Sequence, residues 1–408
     1  MKCRHCGTEL THNFIDLDSS PPSNAYLTNQ TMKEPEKWYP LKVMVCDHCW
    51  LVQTEDFVGV EEMFSQDYAY FSSYSTTWVK HASNYVDDMV ERFGLNAESN
   101  VVEIAANDGY LLQFVKDKGI PCYGIEPTQS TAKAAREKGL EIIENFFSVP
   151  MAEELVKQGR QVDLTAANNV LAHVPDINSF VKGFSILLKP KGVATFEFPH
   201  LLNLVNQNQF DTIYHEHYSY LSLTAVRTIF EMNGLTVFDV EEISTHGGSL
   251  RVYAQRSDTG ERSICETVSS LQDRERQAGI NRLSFYEGFQ KKTGKIKFDL
   301  MAFLLNAKQN GKKVAAYGAA AKGNTLLNYT GIHSDLLEYV VDLNPAKQDK
   351  YMPGSRIPIV NEVILKQQQP DYILILPWNL SNEISAQLEY IGEWGGKFVT
   401  AVPELIIR

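Results

Sequence analysis

The feature that most constrains this chain is a regular alternation of short apolar runs with amphipathic stretches, beginning at Val101. Strand-like runs fall at Val101 to Ala105, Pro121 to Ile125, Asp163 to Ala167, Gly192 to Phe198 and Thr236 to Val240. Helical patterns fall between them, at Tyr110 to Lys118, Thr131 to Lys138, Met151 to Gln158, Asn178 to Leu188 and Thr224 to Met232. Alternation at this spacing requires a mostly parallel α/β sheet with helices on both faces. Gly248 to Gln255 reads as a final antiparallel edge strand. A charge-mixed helical stretch, Asp273 to Gln309, then leads to a second series of strands. These are V-A-A-Y at 314–317, Leu337 to Val341, Tyr372 to Leu376 and Phe398 to Ala401. That series makes a second, smaller α/β domain.

The first 75 residues do not share the pattern. They are rich in cysteine and aromatic residues and contain the turn-rich stretch S-S-P-P-S-N-A-Y. Of the chain's 6 cysteines, Cys3, Cys6, Cys46 and Cys49 form two C-x-x-C pairs. A small irregular module needs a staple, and two C-x-x-C knuckles can supply a tetrahedral Cys₄ zinc site. The gap between the pairs is longer than in common zinc ribbons. Unliganded buried thiols or one redox pair are the alternatives, and the repeated spacing favours zinc. Four filled positions make such a site structural. The start M-K-C-R-H-C-G offers no apolar signal segment, and no run is long enough to span a bilayer. A cytoplasmic chain is expected, with no membrane partner.

The sequence has 408 residues, enough for two or three domains, and a net charge of −12. Nucleic-acid binding by charge is therefore not expected, although a local pocket for a small phosphate compound remains compatible.

Three constellations carry chemistry. In V-V-E-I-A-A-N-D-G-Y, Glu103 ends a first strand before a small-residue turn containing Ala105, Asn107, Asp108 and Gly109. No G-x-G-x-x-G is present, which counts against a dinucleotide. Glu126 follows the second strand, where a carboxylate can accept the two ribose hydroxyls of a nucleoside. S-adenosylmethionine fits this pair better than NAD. The second constellation, D-T-I-Y-H-E-H-Y-S-Y at 211–220, overhangs the same carboxyl edge with Tyr214, His215, Glu216, His217, Tyr218 and Tyr220. His173, in N-N-V-L-A-H-V-P with Asn168, points at the same crevice. Histidine and tyrosine suit proton abstraction and enolate stabilisation near neutral pH. Each residue alone also reads as part of a packed aromatic loop, and a His215–His217 metal site lacks an obvious third ligand. The third constellation, A-Y-G-A-A-A-K-G-N-T-L-L at 316–327, closes a strand at Tyr317 and opens a helix with Lys322 and Asn324. It reads either as an anion pocket or as helix-on-sheet packing.

These motifs, with T-H-G-G-S-L-R ending at Arg251, occur in one order along the chain. The whole resembles the nucleotide-sugar C-methyltransferases that build branched deoxysugars. The resemblance covers essentially all 408 residues. It implies a zinc-binding module at 1–75, a central class I methyltransferase domain of Rossmann-like form at 76–257, and a C-terminal Rossmann-like domain at 258–408. It further implies His217 as the base, with Tyr214, Glu216 and His173 around it and Tyr68 reaching in from the zinc module. Candidate cofactor contacts are Glu103, Ala105, Asn107, Asp108, Gly109, Glu126 and Asn168. Candidate substrate contacts are Lys322, Asn324, Arg251 and Tyr317. The expected reaction is carbon methylation of a nucleotide-linked 4-ketohexose at C3 by a monomeric enzyme. An O-methyltransferase, or a non-catalytic zinc-ribbon binding module on a degenerate methyltransferase fold, are the rival readings.

Overall fold

A computed structural model describes residues 1–57 and 71–408. The N-terminal module is an antiparallel sheet of β1 (His12–Ser20), β2 (Tyr39–Val45) and β3 (Val52–Thr54). One cysteine knuckle precedes β1 and the other turns β2 into β3. Each turns through a left-handed residue directly after its second cysteine: Gly7 with φ of 75° and Trp50 with φ of 63°. Glycine takes this conformation freely, whereas a tryptophan there costs about 1–2 kcal/mol. Trp50 is held in it by packing its indole parallel to Tyr286, with ring centroids 6.3 Å apart.

The central sheet contains β4 (Val101–Ile104), β5 (Cys122–Ile125), β6 (Ile142–Ile143), β7 (Val162–Asn168) and β8 (Leu188–Pro199). Next in the chain, β9 (Ser219–Tyr220) pairs with β3 and so completes the N-terminal sheet from the central segment. Two more central strands follow, β10 (Leu235–Ile243) and β11 (Ser249–Arg256). Spatial order is β10-β11-β8-β7-β4-β5-β6. β11 is antiparallel to both its neighbours, and the remaining pairs are parallel. This is the strand order of class I methyltransferases. The segment 248–255 is thus antiparallel as expected but not at the edge: it lies between β8 and β10. Residues of β4 are buried throughout, as a parallel strand covered on both faces requires.

The helical stretch after β11 is two helices, Glu266–Ala278 and Phe289–Gln309, rather than one connector. Gly279 and Gly288, both in the left-handed region, break it, while Gly294 stays helical. Val268 and Leu271 of the first helix join the central core, whereas Ile296, Leu300 and Leu304 of the second join the C-terminal one.

The C-terminal sheet contains β12 (Val314–Tyr317), β13 (Val340–Val341), β14 (Ile359–Val360), β15 (Tyr372–Ile375), β16 (Lys397–Thr400) and β17 (Ile406–Ile407). Its order, β14-β13-β12-β15-β16-β17, is parallel except for β17. Chain direction across the sheet reverses at β12, which puts the Y-G-A-A-A-K-G turn at a topological switch point. One apolar core joins this domain to the N-terminal sheet, with Phe14 stacked on Phe289 at 4.6 Å between centroids. Among the described residues, no helix is long and apolar enough to cross a membrane.

Candidate active site and metal centre

The four cysteine sulfurs lie within 4.8 Å of one another. The separations Cys3–Cys49 and Cys6–Cys46 are 3.5 and 3.6 Å. A tetrahedron with Zn–S bonds of about 2.3 Å has edges of about 3.8 Å, so the set fits zinc closely. Backbone hydrogen bonds shape both knuckles, from Gly7 to the Cys3 carbonyl and from Trp50 to the Cys46 carbonyl, each 3.0 Å. The Gln53 amide donates to the Cys3 sulfur at 3.2 Å, as a group supporting a metal-bound thiolate would. Among the described residues this is the one cluster of histidine, cysteine or acidic side chains able to hold a metal. His215 does not contribute to another. Its Nε2 donates to the carbonyls of Tyr39 and Pro40, which turns it away from His217.

The cofactor turn sits at the carboxyl edge of β4 and β5. Ala105, Asn107 and Gly109 all take positive φ, winding the backbone tightly around Glu126. Both oxygens of Glu126 accept backbone amides, Asn107 N and Thr128 N, each at 2.9 Å. Burial nonetheless pushes its pKa upward. The same burial raises Glu103 further, against the favourable influence of the Tyr110 hydroxyl. Asn107 and Asp108 accept from the amides of Ser72 and Ser73, so the segment just before the helix Thr76–Phe93 closes over the turn. Gly109 has a further use beside the one expected. A Cβ there would lie 2.2 Å from Leu140, so core packing as well as the turn requires the glycine. At the end of β7, both side-chain polar atoms of Asn168 are buried without a partner, as is Oδ1 of Asp108. Orphaned polar atoms at neighbouring strand ends are what a bound nucleoside would satisfy. S-adenosylmethionine, the methyl donor of this fold, fits them.

The catalytic candidates gather beyond this turn. His217 is largely buried, with 9% of its surface exposed. Its Nδ1–H donates to the Thr212 carbonyl at 2.8 Å, which leaves the lone pair on Nε2. Tyr214 packs on it with a ring tilt of 33° at 4.0 Å between centroids, and His173 meets it edge-on at 4.7 Å. Burial lowers the pKa of all the histidines here, His173 to about 4 and His217 well below 6.5. Glu216 faces the zinc module, where Asn24 Nδ2 donates to its Oε1 at 2.6 Å. Tyr68 lies outside the described residues.

Of the four substrate candidates, Lys322 and Asn324 reach this neighbourhood. The Lys322 ammonium bonds Asn379 at 2.6 Å, lies 4.8 Å above the Trp378 ring, and is close enough to depress the pKa of His217. Asn324 donates to the Ser23 carbonyl, with its own Oδ1 buried and unpartnered. The other two are used elsewhere. Arg251 is sealed in the sheet, its Nε 2.7 Å from Glu197, whose other oxygen meets His81 at 2.8 Å. Tyr317 points to the far face of the C-terminal sheet, bonded to Glu362 and Gln387. Alternation along β12 explains this: Val314 and Ala316 face the inner core, so Ala315 and Tyr317 face the outer one.

Some members of the site were not foreseen. His246 sits in the turn between β10 and β11 with φ of 54°, paired with Asn169 at 2.8 Å, and burial lowers its pKa to about 4. Asn24, Asp211 and Trp378 also converge here. The signal for His246 was its T-H-G-G context, since two glycines in succession mark a turn under constraint.

Comparison with known proteins agrees with this architecture. Residues 3–64 match a zinc binding domain family, 78–240 a methyltransferase domain family, and 244–403 the family "C-methyltransferase C-terminal domain". The C-methyltransferase NovU of Streptomyces niveus is 33% identical over 403 residues, covering 99% of this chain and 96% of NovU. A local match of 32% over 98 residues links 24% of the chain to 41% of the ubiquinone biosynthesis O-methyltransferase of Bordetella avium (strain 197N). The solved magnesium protoporphyrin IX methyltransferase ChlM of Synechocystis PCC 6803 aligns over 44% of the chain and 83% of its own. The identity is 16% and the TM-score 0.36. A relative of this identity over nearly the whole of both chains, together with three family matches in order, shows that the chain belongs to the C-methyltransferase family.

Proposed function

We propose that this enzyme methylates the carbon beside the ketone of a nucleotide-linked 4-ketohexose, at C3, with His217 as the base. The observation that carries this reading is the state of His217. Its Nδ1–H is committed to Thr212, its Nε2 is an unprotonated acceptor, and burial keeps the ring neutral. A carbon acid needs such a base, because carbon is a poor nucleophile until it is deprotonated. S-adenosylmethionine supplies an electrophilic methyl group to the carbon nucleophile so formed.

The remaining residues take supporting parts. The 4-keto group acidifies the neighbouring C3 proton, and His217 Nε2 takes it. Negative charge then develops on the keto oxygen, where Tyr214 and the Lys322 ammonium can offset it, while His173, edge-on to His217, orients the base. This assigns Lys322 to the sugar end of the substrate, since its field reaches His217 and His246. Amides at the start of the helix Ala321–Thr330 suit the diphosphate. Glu216, bonded to Asn24, orients the loop that carries the base.

The test is proton exchange without the methyl donor. TDP-, GDP- and CDP-linked 4-ketohexoses in deuterated buffer should exchange their C3 proton with the wild-type enzyme and not with His217→Asn. One of them should gain a C-methyl group, located by mass spectrometry and NMR, when donor is added. Methylation on oxygen with no exchange would instead identify an O-methyltransferase.

A further inference from the structure

The C-terminal domain grips the short turn that holds His217, at points the nucleotide-sugar role does not require. The turn is Phe210–Ile213. Trp378 Nε1 donates to Asp211 Oδ2 at 2.8 Å. The Thr325 hydroxyl, on the helix Ala321–Thr330, donates to the Ile213 carbonyl at 2.7 Å. The Tyr329 ring, one helical turn further on, packs edge-on against Phe210 at 5.5 Å. Between the two hydrogen-bonded residues lies Thr212, whose carbonyl accepts the Nδ1–H of His217 and whose hydroxyl donates to Gln209 at 2.7 Å.

Trp378 touches the neighbouring catalytic loop as well. A Cβ on Gly247 would come within 2.5 Å of its indole, so the T-H-G-G turn presents bare backbone to the ring. His246, the residue before, follows the same turn. One tryptophan from the C-terminal domain thus buttresses both histidine-bearing loops of the central domain. Asp211 is fully buried with Oδ1 unpartnered, so the indole N–H is a substantial part of what holds this carboxyl in place.

We infer that Trp378 and Thr325 are positioning residues: they fix the Phe210–Ile213 turn so that the Thr212 carbonyl selects the Nδ1–H tautomer of His217 and aims Nε2 at the substrate carbon. The inference rests on His217 being the base. A carbonyl that drifts by about 1 Å no longer selects one tautomer, and misplacement on that scale costs about a hundredfold in rate. The groups that bear on His217 are His173, His246, Lys322 and the Thr212 carbonyl, and only the last belongs to this turn.

The experiment compares Trp378→Phe, Thr325→Val and Thr325→Ser with wild type and with His217→Asn, all as full-length enzyme. Thr325→Val is nearly isosteric, and Thr325→Ser restores the hydroxyl. We expect Thr325→Val and Trp378→Phe to lower kcat and the donor-free C–H exchange rate together, by about tenfold to a hundredfold. KM for the sugar nucleotide should stay within about twofold, and Thr325→Ser should recover most of the loss. Two-bond ¹⁵N correlation spectra, with His217 assigned by His217→Asn, should show one tautomer in wild type and a mixture in Thr325→Val. If His217→Asn abolishes exchange while Thr325→Val and Trp378→Phe keep wild-type kcat and tautomer, the positioning role is wrong and the base assignment stands. If His217→Asn itself retains exchange, the base assignment fails first. A rise in KM without loss of kcat would place Trp378 and Thr325 in sugar-nucleotide binding and overturn the inference.

Discussion

Asn24 of the zinc module donates its side-chain amide to the carboxylate of Glu216, next to the catalytic candidate His217 and 192 positions away in sequence. The contact is short, 2.6 Å, and buried on the Glu216 side. It makes the zinc module part of the wall of the candidate site. The same segment adds Ser23, whose carbonyl accepts from Asn324, and Tyr26, whose hydroxyl donates to the Ala319 carbonyl.

Metal loss should therefore reach the reaction and not only stability. Treatment with a strong chelator, or Cys46→Ser, is expected to remove about one zinc per chain by atomic absorption and to abolish turnover. Asn24→Ala isolates the contact itself. It should keep its zinc and bind S-adenosylmethionine normally, yet lose about tenfold in kcat, because the Glu216 carboxylate loses its buried donor. Wild-type kcat in Asn24→Ala would confine the module to a folding role.

The acid side of the pH profile follows from the buried histidines. Burial lowers His173 and His246 to about 4 and His217 well below 6.5. Below pH 6.5 the unfolded chain binds protons at these positions and the folded chain does not. Their contribution to stability is thus complete above about pH 6.5 and lost progressively as pH falls toward 4. Thermal melts should show that loss across this window. In kcat/KM, the limb for a required neutral base should lie well below 6.5, so activity is level from pH 6.5 to 7.5. A limb at 6.5 would mean that the base is solvated.

Arg251 provides a test between support and substrate contact. Its guanidinium and the Glu197 carboxylate are both almost wholly buried, and Glu197 also holds His81. Arg251 and His81 together keep Glu197 ionised against the pull of burial. Arg251→Met should cost about 3–5 kcal/mol of stability by leaving that carboxylate short of its partner. KM for the sugar nucleotide should move little. A large rise in KM at unchanged melting temperature would return Arg251 to the substrate list.

Much of this architecture is legible in sequence because it is local. Most strands of the central sheet announce themselves as short, mainly apolar runs, the two-residue β6 being the exception, and the C-x-x-C spacing carries its own geometry. The insertion of β11 between β8 and β10 is not local. An edge strand and an inserted one have the same pattern of residues, and only the full strand order separates them. Trp378 lies in no motif, and Asn24 and Asp211 lie inside motifs that do not reveal their partners. Each acts through a bond to a distant segment, which its own neighbourhood does not show. Gly109 shows a constraint of the same non-local kind. Its place in the cofactor turn is legible, whereas the Leu140 side chain packed behind it is not.

Gly109→Ala should accordingly behave as a packing mutant. The new Cβ would meet Leu140 Cδ1 at 2.2 Å, in a backbone conformation with φ of 75°. Overpacking and left-handed strain together are expected to cost about 2–4 kcal/mol. A urea titration should show this loss in the midpoint. Cofactor affinity measured below the transition should weaken by less than about threefold, well under one pK unit's worth of free energy.

Glu126 is the sharpest test of the cofactor site, because its carboxylate accepts the backbone amides of Asn107 and Thr128 and is met by the Thr128 and Thr131 hydroxyls as well. The two amides, from Asn107 and Thr128, tie the turn after β4 to the end of β5. A pair of ribose hydroxyls would meet this same carboxylate. Glu126→Gln keeps the shape but sets an NH₂ group against one of the two amide N–H donors. Glu126→Ala removes both acceptors. Both variants should bind S-adenosylmethionine at least tenfold more weakly by calorimetry, with Ala the worse of the two. Affinity for the sugar nucleotide should stay near wild type, since that ligand would lie on the Lys322 side. Donor-free exchange of the C3 proton should also survive, because His217 does not depend on this turn. A variant that lost exchange and donor binding in parallel would show that the two halves of the site are one cooperative unit.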